Sequence, residues 1–526
     1  MSISILVPDS LHINKRNFSS FFSWIEKNKI NIHFENNNKD WISLYGVYDS
    51  KLGILYEKID ILTKIEEEEL FAFCVYDLNI FNICRAELLS LVATRPEWYN
   101  EDYPNNLREI YKKLYTNNRS ELLQNMAAAW YWVDFWKKRL SELKQFSHCC
   151  VFSGGLIYQK SLIELLKYTP TKVMVMESLF TGNEYYCEER YSSIANNSDI
   201  KHLAIFNSYK KTFSSKSEYD KERMKAINKF LLMKNKNVQQ PTDSEILVFK
   251  QQKPIITIIG QVINDFSVLE YKGRGLSTIK IYKELISKLS ENGFNVVLKT
   301  HPWEEKKNNI RTSLTKNIIE EFLKNLTENQ QECIKIVDHY SIKKLFKQSD
   351  FIISLNSQGL LEAAFDGIKP IQLGNAFYGK KGFTYDYDFL DIDQLVNDLV
   401  VNKLTPTLSL EEFDLFEEFI TILLQKHAVS IHASGVSVLS RKFNLPTIIP
   451  LVENVPKEKS KTTLPTQKDV VKKENTTIVN MVELPKVVPQ SDKNRKYQKF
   501  RNNPRQFFAD SRNPVIRSLM YFFPYK

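Results

Sequence analysis

Short apolar runs alternate with helical stretches along most of the chain. In residues 1–243 the runs 3–7, 31–34, 72–76, 149–152, 172–176 and 203–206 predict strands, being short, apolar and rich in branched residues. Residues 120–143 carry the longest helical pattern, and Trp130, Trp132 and Trp136 within it are expected in the core. Strand and helix in alternation predict a parallel sheet covered on both faces. A polar helical bridge, 217–243, leads to a second series. Strands are expected at 254–260, 295–299, 334–337, 351–354 and 369–373, with helices over 277–292, 341–347 and 358–366. This is the order of a Rossmann-like domain. Helical patterns at 410–424 and 428–441 close it. The fold class is α/β, with one domain over 1–243 and a second over 244–445.

The pattern stops after that. Residues 446–490 are dominated by Lys, Thr, Val, Glu and Pro without amphipathic period, which predicts a disordered linker. Residues 491–526 are basic and aromatic: Lys493, Arg495, Lys496, Lys499, Arg501, Arg505, Arg512 and Arg517 stand against Asp492 and Asp510. The overall charge of +10 is modest for 526 residues, so this concentration carries its meaning. Basic residues beside Phe507, Phe508, Tyr521, Phe522 and Phe523 suit an anionic membrane surface. Each such cation is worth about 1 kcal/mol there. Nucleic-acid binding is the competing reading of the same residues; no nucleic-acid fold accompanies them, so no nucleic-acid partner is expected. Six cysteines form no CxxC pair and read as reduced core thiols. The first residues lack a signal-peptide pattern, and no apolar run approaches the length of a membrane span. The expected place is the cytoplasm, peripherally at the inner membrane.

Three strand ends carry candidate chemistry. The first is Ser354, followed by the loop Leu355-Asn356-Ser357-Gln358-Gly359 and a helix bearing Glu362. Small residues let backbone approach a ligand, a helix start suits phosphate, and Glu362 is placed to accept hydrogen bonds from ribose hydroxyls. The second is Lys299-Thr300-His301-Pro302, where His301 lies at the edge at which α/β sheets bind ligands. The third is Gly260 to Asp265, with Gln261 and Asp265 facing the space between domains. Gly154 and Gly155 precede Lys160-Ser161 but lack the glycine before the lysine, so they read as a strand–helix turn and not as a phosphate loop.

Taken in order, Gln261, Asp265, Lys299-x-His301-Pro302, Ser354-x-x-Ser357-x-Gly359-x-x-Glu362-Ala363, Gly367, Pro370 and Gly374-x-Ala376-Phe377-Tyr378 resemble the bacterial capsular polysaccharide biosynthesis family that includes the β-Kdo transferases. The resemblance runs over about 152–386. It implies a GT-B glycosyltransferase: two Rossmann-like domains facing a cleft, with CMP-Kdo as donor substrate and no separate cofactor or metal. It further implies Gln261, Lys299, His301, Ser354, Ser357, Gln358, Gly359 and Glu362 as nucleotide contacts. In related capsule proteins an acidic residue follows a strand and a second lies about a dozen positions on. Glu177 and Glu189 occupy those places, with Asn196 and Asn197 closing the loop that follows.

Transfer of a ketose from CMP to a hydroxyl needs a base for the acceptor proton or a nucleophile to hold the sugar. Glu189 is the expected base or nucleophile, with Glu177 and Asp265 in support. The acceptor is a saccharide or glycolipid, bound by the first domain, and other capsule-assembly proteins are expected partners. Two other readings use the same residues: a GT-B transferase using CMP-sialic acid or a UDP-sugar, and a non-catalytic capsule-assembly partner with a transferase fold.

Overall fold

Short strands rich in branched and aromatic side chains build two sheets. The computed structural model describes residues 3–444, apart from 36–39, 43, 102–103, 105, 234–240, 242, 270–276 and 308–309. The linker and basic tail expected at 446–526 lie outside the described residues. The strands are β1 (Ser4–Val7), β2 (Asn31–Phe34), β3 (Cys74–Val75), β4 (Leu78–Asn79), β5 (His148–Phe152), β6 (Lys172–Ser178) and β7 (Glu184–Glu189). They continue as β8 (Ile255–Ile259), β9 (Asn295–Lys299), β10 (Ile334–Val337), β11 (Phe351–Ser354), β12 (Ile371–Gln372), β13 (Tyr385–Asp386) and β14 (Val429–Ser430).

The first sheet has the order β14-β7-β6-β5-β1-β2. It is parallel from β2 to β6, and β7 and β14 run antiparallel at its other edge. The second has the order β10-β9-β8-β11-β12-β13 and is parallel throughout. Counted from β8 this is 3-2-1-4-5-6, the Rossmann order. Its central strands, Ile-Ile-Thr-Ile-Ile and Asn-Val-Val-Leu-Lys, are buried on both faces, which is why they read as continuous apolar runs and not as alternation.

Three expectations change. Residues 203–206 belong to a helix, Leu203–Lys210, because a four-residue apolar run carries too little period to separate strand from helix. Residues 72–76 contribute only to the two-residue hairpin β3–β4, outside both sheets. The helix expected over 428–441 opens instead with β14, paired to Tyr185 and Glu184, and the helix proper is Gly435–Asn444. That helix lies on Ser19–Asn28, with the Trp24 and Phe443 rings 4.5 Å apart. Residues 429–444 therefore pack with the first half, whereas the sequence boundary groups them with the second.

Helix Arg119–Glu142 buries Trp132 and Trp136 in the core, and the Trp136 indole N–H donates to the Tyr158 carbonyl at 2.7 Å. Trp130 is only half-buried, with the Lys58 ammonium over its ring. The two halves meet along several polar contacts. Asn264 Nδ2 donates to the Ser90 carbonyl at 2.8 Å, Ser277 Oγ donates to the Tyr99 carbonyl at 3.3 Å, and Asn196 Oδ1 accepts from Phe377 N at 2.8 Å.

Candidate functional site

In the second sheet the strand order reverses between β8 and β11, and the crevice outside their carboxyl ends is where such sheets bind ligands. Gln261 follows β8 and Asn356 follows β11. Asn356 N donates to Gln261 Oε1 at 3.1 Å, while Gln261 Nε2 donates to Asn356 Oδ1. The Gln261 backbone N–H is taken by the Tyr282 hydroxyl at 2.8 Å. Ser354 Oγ, fully enclosed, donates to the Ile259 carbonyl at 2.7 Å. A Cβ on Gly359 would lie 3.3 Å from both Ile259 Cδ1 and Ile342 Cδ1. Three of the residues expected to touch nucleotide thus hold the crevice's walls together: two by hydrogen bonds between strand ends, Gly359 by letting its helix sit against the sheet.

The remaining candidates along this edge keep polar groups in play. Burial pushes Lys299 down to about 8 against the pull of the Asp338 and Glu362 carboxylates, and its ammonium donates to the Asp338 carbonyl at 2.9 Å. Burial also lowers His301, helped by Lys299 and Lys307 and opposed by Asp265, to about 4. His301 is therefore neutral at physiological pH. Its Nδ1 accepts from Trp303 N at 3.2 Å, which leaves the proton on Nε2 as a donor. Burial raises Glu362 to about 6, with Asp366 adding to the rise and Lys343 and Lys299 opposing it. Ser357 Oγ accepts from Gly359 N at 3.2 Å, and Gln358 is exposed.

The first sheet reverses between β1 and β5. Past β5 the backbone turns through Ser153 (φ 57°) and Gly154 (φ 83°), a left-handed pair that glycine tolerates and serine rarely adopts. The Ser153 hydroxyl hydrogen-bonds Glu177, near the end of β6. Glu177 Oε2 is enclosed and has no hydrogen-bond partner among the described residues. Burial pushes this carboxyl up to about 7, and the next largest cause is Asp265, which lies beside it on the loop after β8. Asp265 Oδ1 accepts from Ser267 N at 2.8 Å. Lys307 carries positive charge to the same place: its ammonium donates to Asn264 Oδ1 at 2.6 Å and interacts with Asp265. Two carboxyl groups, one from each half, therefore share one site.

Glu189 is placed elsewhere. Glu177 stands opposite Tyr186, while Glu189 stands opposite Met174. Partners three residues apart along β6 face opposite sides of the sheet. Glu189 shares its face with Met174, Met176, Tyr185 and Cys187, and its carboxylate is paired with Lys172 at 3.0 Å. Its neighbour Glu188 lies on the same face as Glu177 but is spent on structure. It is buried between His427 Nε2 at 2.8 Å and Arg190 Nη1 at 2.6 Å, and accepts from Ser198 Oγ at 2.5 Å. Burial alone would raise it; His427, Arg190 and Ser198 together hold it well below the carboxylate range.

Sequence reasoning missed Asn356 as a bracing residue, Lys307 and Asn264 at the junction, and His427, which reaches Glu188 from 239 positions away. Asn356 and Asn264 had a signal, their places in the loops after β11 and β8. Among the described residues one group has potential metal ligands, Glu305, Asp338 and His339. It is largely exposed and internally paired, with His339 Nε2 3.1 Å from Glu305 and Lys316 3.4 Å from Asp338. No described helix is long and apolar enough to cross a membrane.

Residues 180–402 match the family described as capsule polysaccharide biosynthesis protein. No curated protein sequence matches the chain. Among solved structures, the β-Kdo 2,4-transferase KpsC of Thermosulfurimonas dismutans is 16% identical, covering 52% of this chain and 79% of that one at a TM-score of 0.35. The β-Kdo 2,7-transferase of the same organism's KpsC is 16% identical, covering 58% and 89% at a TM-score of 0.33. A UDP-forming trehalose-phosphate synthase from Burkholderia xenovorans is 10% identical, covering 85% and 100% at a TM-score of 0.34. The segment that matches this family's model holds Glu188, Asp265, His301 and Glu362.

Proposed function

We propose that the protein is a GT-B glycosyltransferase of capsular polysaccharide assembly. It moves Kdo, or a related ulosonic acid, from a CMP-activated donor to a saccharide or glycolipid acceptor. The observation that carries this reading is the meeting of Glu177 and Asp265 from opposite halves, beside a Rossmann crevice lined by Lys299, His301 and Glu362. The reaction breaks the anomeric C–O bond to the CMP phosphate, forms a C–O bond to the acceptor, and releases the acceptor's proton. Glu177, raised to about 7, is matched to take a proton or hold the sugar near neutral pH. Asp265 supplies the second carboxylate, and the Lys307 ammonium balances the charge. On the nucleotide side, the His301 Nε2–H and the Lys299 ammonium suit phosphate, and Glu362 suits ribose hydroxyls. In this reading the reacting carboxylate is Glu177, not Glu189.

The test is to incubate the full chain with bacterial membranes as acceptor and, separately, CMP-Kdo, CMP-sialic acid and UDP-sugars, scoring nucleotide release. Release from CMP-Kdo alone is expected. Release only from a UDP-sugar would sink the donor assignment. The reading extends to the basic tail: truncation after Pro489 is expected to move the protein from the membrane fraction to the soluble fraction.

A further inference from the structure

At the reversal point of the first sheet, on the β1 side, lies a polar cluster that the reaction outlined above does not use. Asp9 follows β1 by two residues and is almost completely buried. A buried carboxylate persists only with partners. Asp9 Oδ1 accepts from His12 N at 2.8 Å and lies 3.2 Å from His12 Nδ1, and Asp9 Oδ2 accepts from the Tyr158 hydroxyl at 2.6 Å. Gln159 Nε2 in turn donates to the Tyr158 oxygen at 2.8 Å. Burial raises the Asp9 carboxyl, but the bonds and charge of His12 outweigh it and leave the group below its ordinary value. Each neighbour therefore points a proton at an ionised acid. By the same logic the His12 ring carries a proton on Nδ1, which leaves Nε2 to hydrogen-bond a ligand.

The ring is held in place as well as in tautomer. His12 stacks on Phe152, with centroids 4.8 Å apart and planes within 5°. Phe152 is the last residue of β5, and the next residue is Ser153, which holds Glu177. His12 keeps 20% of its side chain open to solvent while Asp9 keeps 1%. A fixed, partly open imidazole thus stands on the same sheet edge as the reacting carboxylate, in the half that does not hold the nucleotide crevice.

We propose that Asp9, His12 and Tyr158 form the acceptor-saccharide site, in which His12 Nε2 hydrogen-bonds a sugar hydroxyl while Asp9 and Tyr158 fix the ring. This rests on the transferase reading. His12 is the binding group; Asp9 and Tyr158 are positioning residues and touch no substrate.

The experiment uses the full chain, whichever of CMP-Kdo, CMP-sialic acid or a UDP-sugar it consumes, and an array of immobilised mono- to tetrasaccharides as acceptors. His12→Ala is expected to raise the acceptor KM at least tenfold, with kcat and acceptor-independent nucleotide release within about threefold of wild type. His12→Gln, whose amide can still hydrogen-bond a sugar hydroxyl, is expected to recover part of the KM loss. Asp9→Asn is expected to raise the acceptor KM by a smaller factor, because it loosens the tautomer without removing the ring. Unchanged acceptor KM in His12→Ala overturns the proposal, as does an equal loss of transfer and acceptor-independent release. If the wild-type chain consumes none of the donors, the transferase reading falls and this site falls with it. If it consumes a donor and His12 is indifferent, only the site falls.

Discussion

The two sheets reverse their strand order in the same way and at the same edge, yet the two crevices are finished differently. In the second sheet the crevice is closed by neutral bonds: Gln261 to Asn356 and Ser354 to Ile259. Its charged groups, Lys299 and Glu362, stand further along the edge and moderate each other. In the first sheet the crevice is filled with acids. Asp9 is ionised on His12 and Tyr158, Glu177 is raised beside Asp265, and Glu188 is locked between His427 and Arg190. Topology sets where a ligand sits; the partners each acid receives decide what it does there. Glu188 is bonded by His427, Arg190, Ser198 and the Asp199 N–H and is structural. Among the described residues, Glu177 has one serine, a second carboxylate nearby and an oxygen with no partner, so it is the acid the proposed reaction uses.

That contrast is open to attack. The largest effect is expected from Glu177→Gln, which should lower nucleotide release by about 10²–10⁴ while the protein stays folded. Because the folded value of Glu177 lies above the unfolded 4.5, its ionisation costs stability as pH climbs from there through about 7. Glu177→Gln should accordingly melt no lower than wild type at pH 8. A large fall in melting temperature would show that the residue is structural and erase the distinction from Glu188.

Next comes Glu188→Ala. Removing one partner of a buried charge cluster leaves Arg190 and His427 uncompensated, at a cost of about 3–5 kcal/mol by chemical denaturation. A loss below ~1 kcal/mol would mean that the cluster is not the brace it appears by geometry.

The pH profile sharpens the comparison further. If Glu177 must be ionised, kcat should rise about tenfold per pH unit below 7 and level off above it. A profile flat from pH 5.5 to 8 would remove Glu177 from the rate-limiting step. Gln261→Ala should cost about 1–3 kcal/mol, since the buried Asn356 N–H loses its acceptor, and should raise the donor KM more than it lowers kcat. The smallest effect is expected at Glu189→Gln, where only a half-exposed pair with Lys172 is lost: turnover within about twofold and stability within ~1 kcal/mol. Abolished turnover in a folded Glu189→Gln protein would return the reacting role to that residue.

Much of the second half was legible from the chain. Its buried parallel strands are long apolar runs, and its loops place small and polar residues at strand ends. The Rossmann order and the edge positions of Lys299, His301 and Glu362 follow from those runs. Less of the first half was legible. The four residues at 203–206 have no period to reveal a helix, and the two-residue strand β14 is too short to signal itself. The Glu188-Glu189 pair shows why the site was harder still. Adjacent strand residues point to opposite faces, so the register against β6 decides which acid meets the interior, and register depends on a turn and a partner strand that the two letters do not contain.

The sequence by itself determined that this chain folds as two α/β halves, where their strand ends fall, and which side chains are available there. Hydrophobic period and strand-end chemistry are local properties, written within a few residues of each other. Only the tertiary structure decided which of those side chains are consumed as braces and which are left in the cleft. Gln261 finds Asn356, Glu188 finds His427, and Glu177 finds Asp265 across separations of 95, 239 and 88 positions. Burial and like charge, the two causes that lift Glu177, exist only once those distant segments have come together.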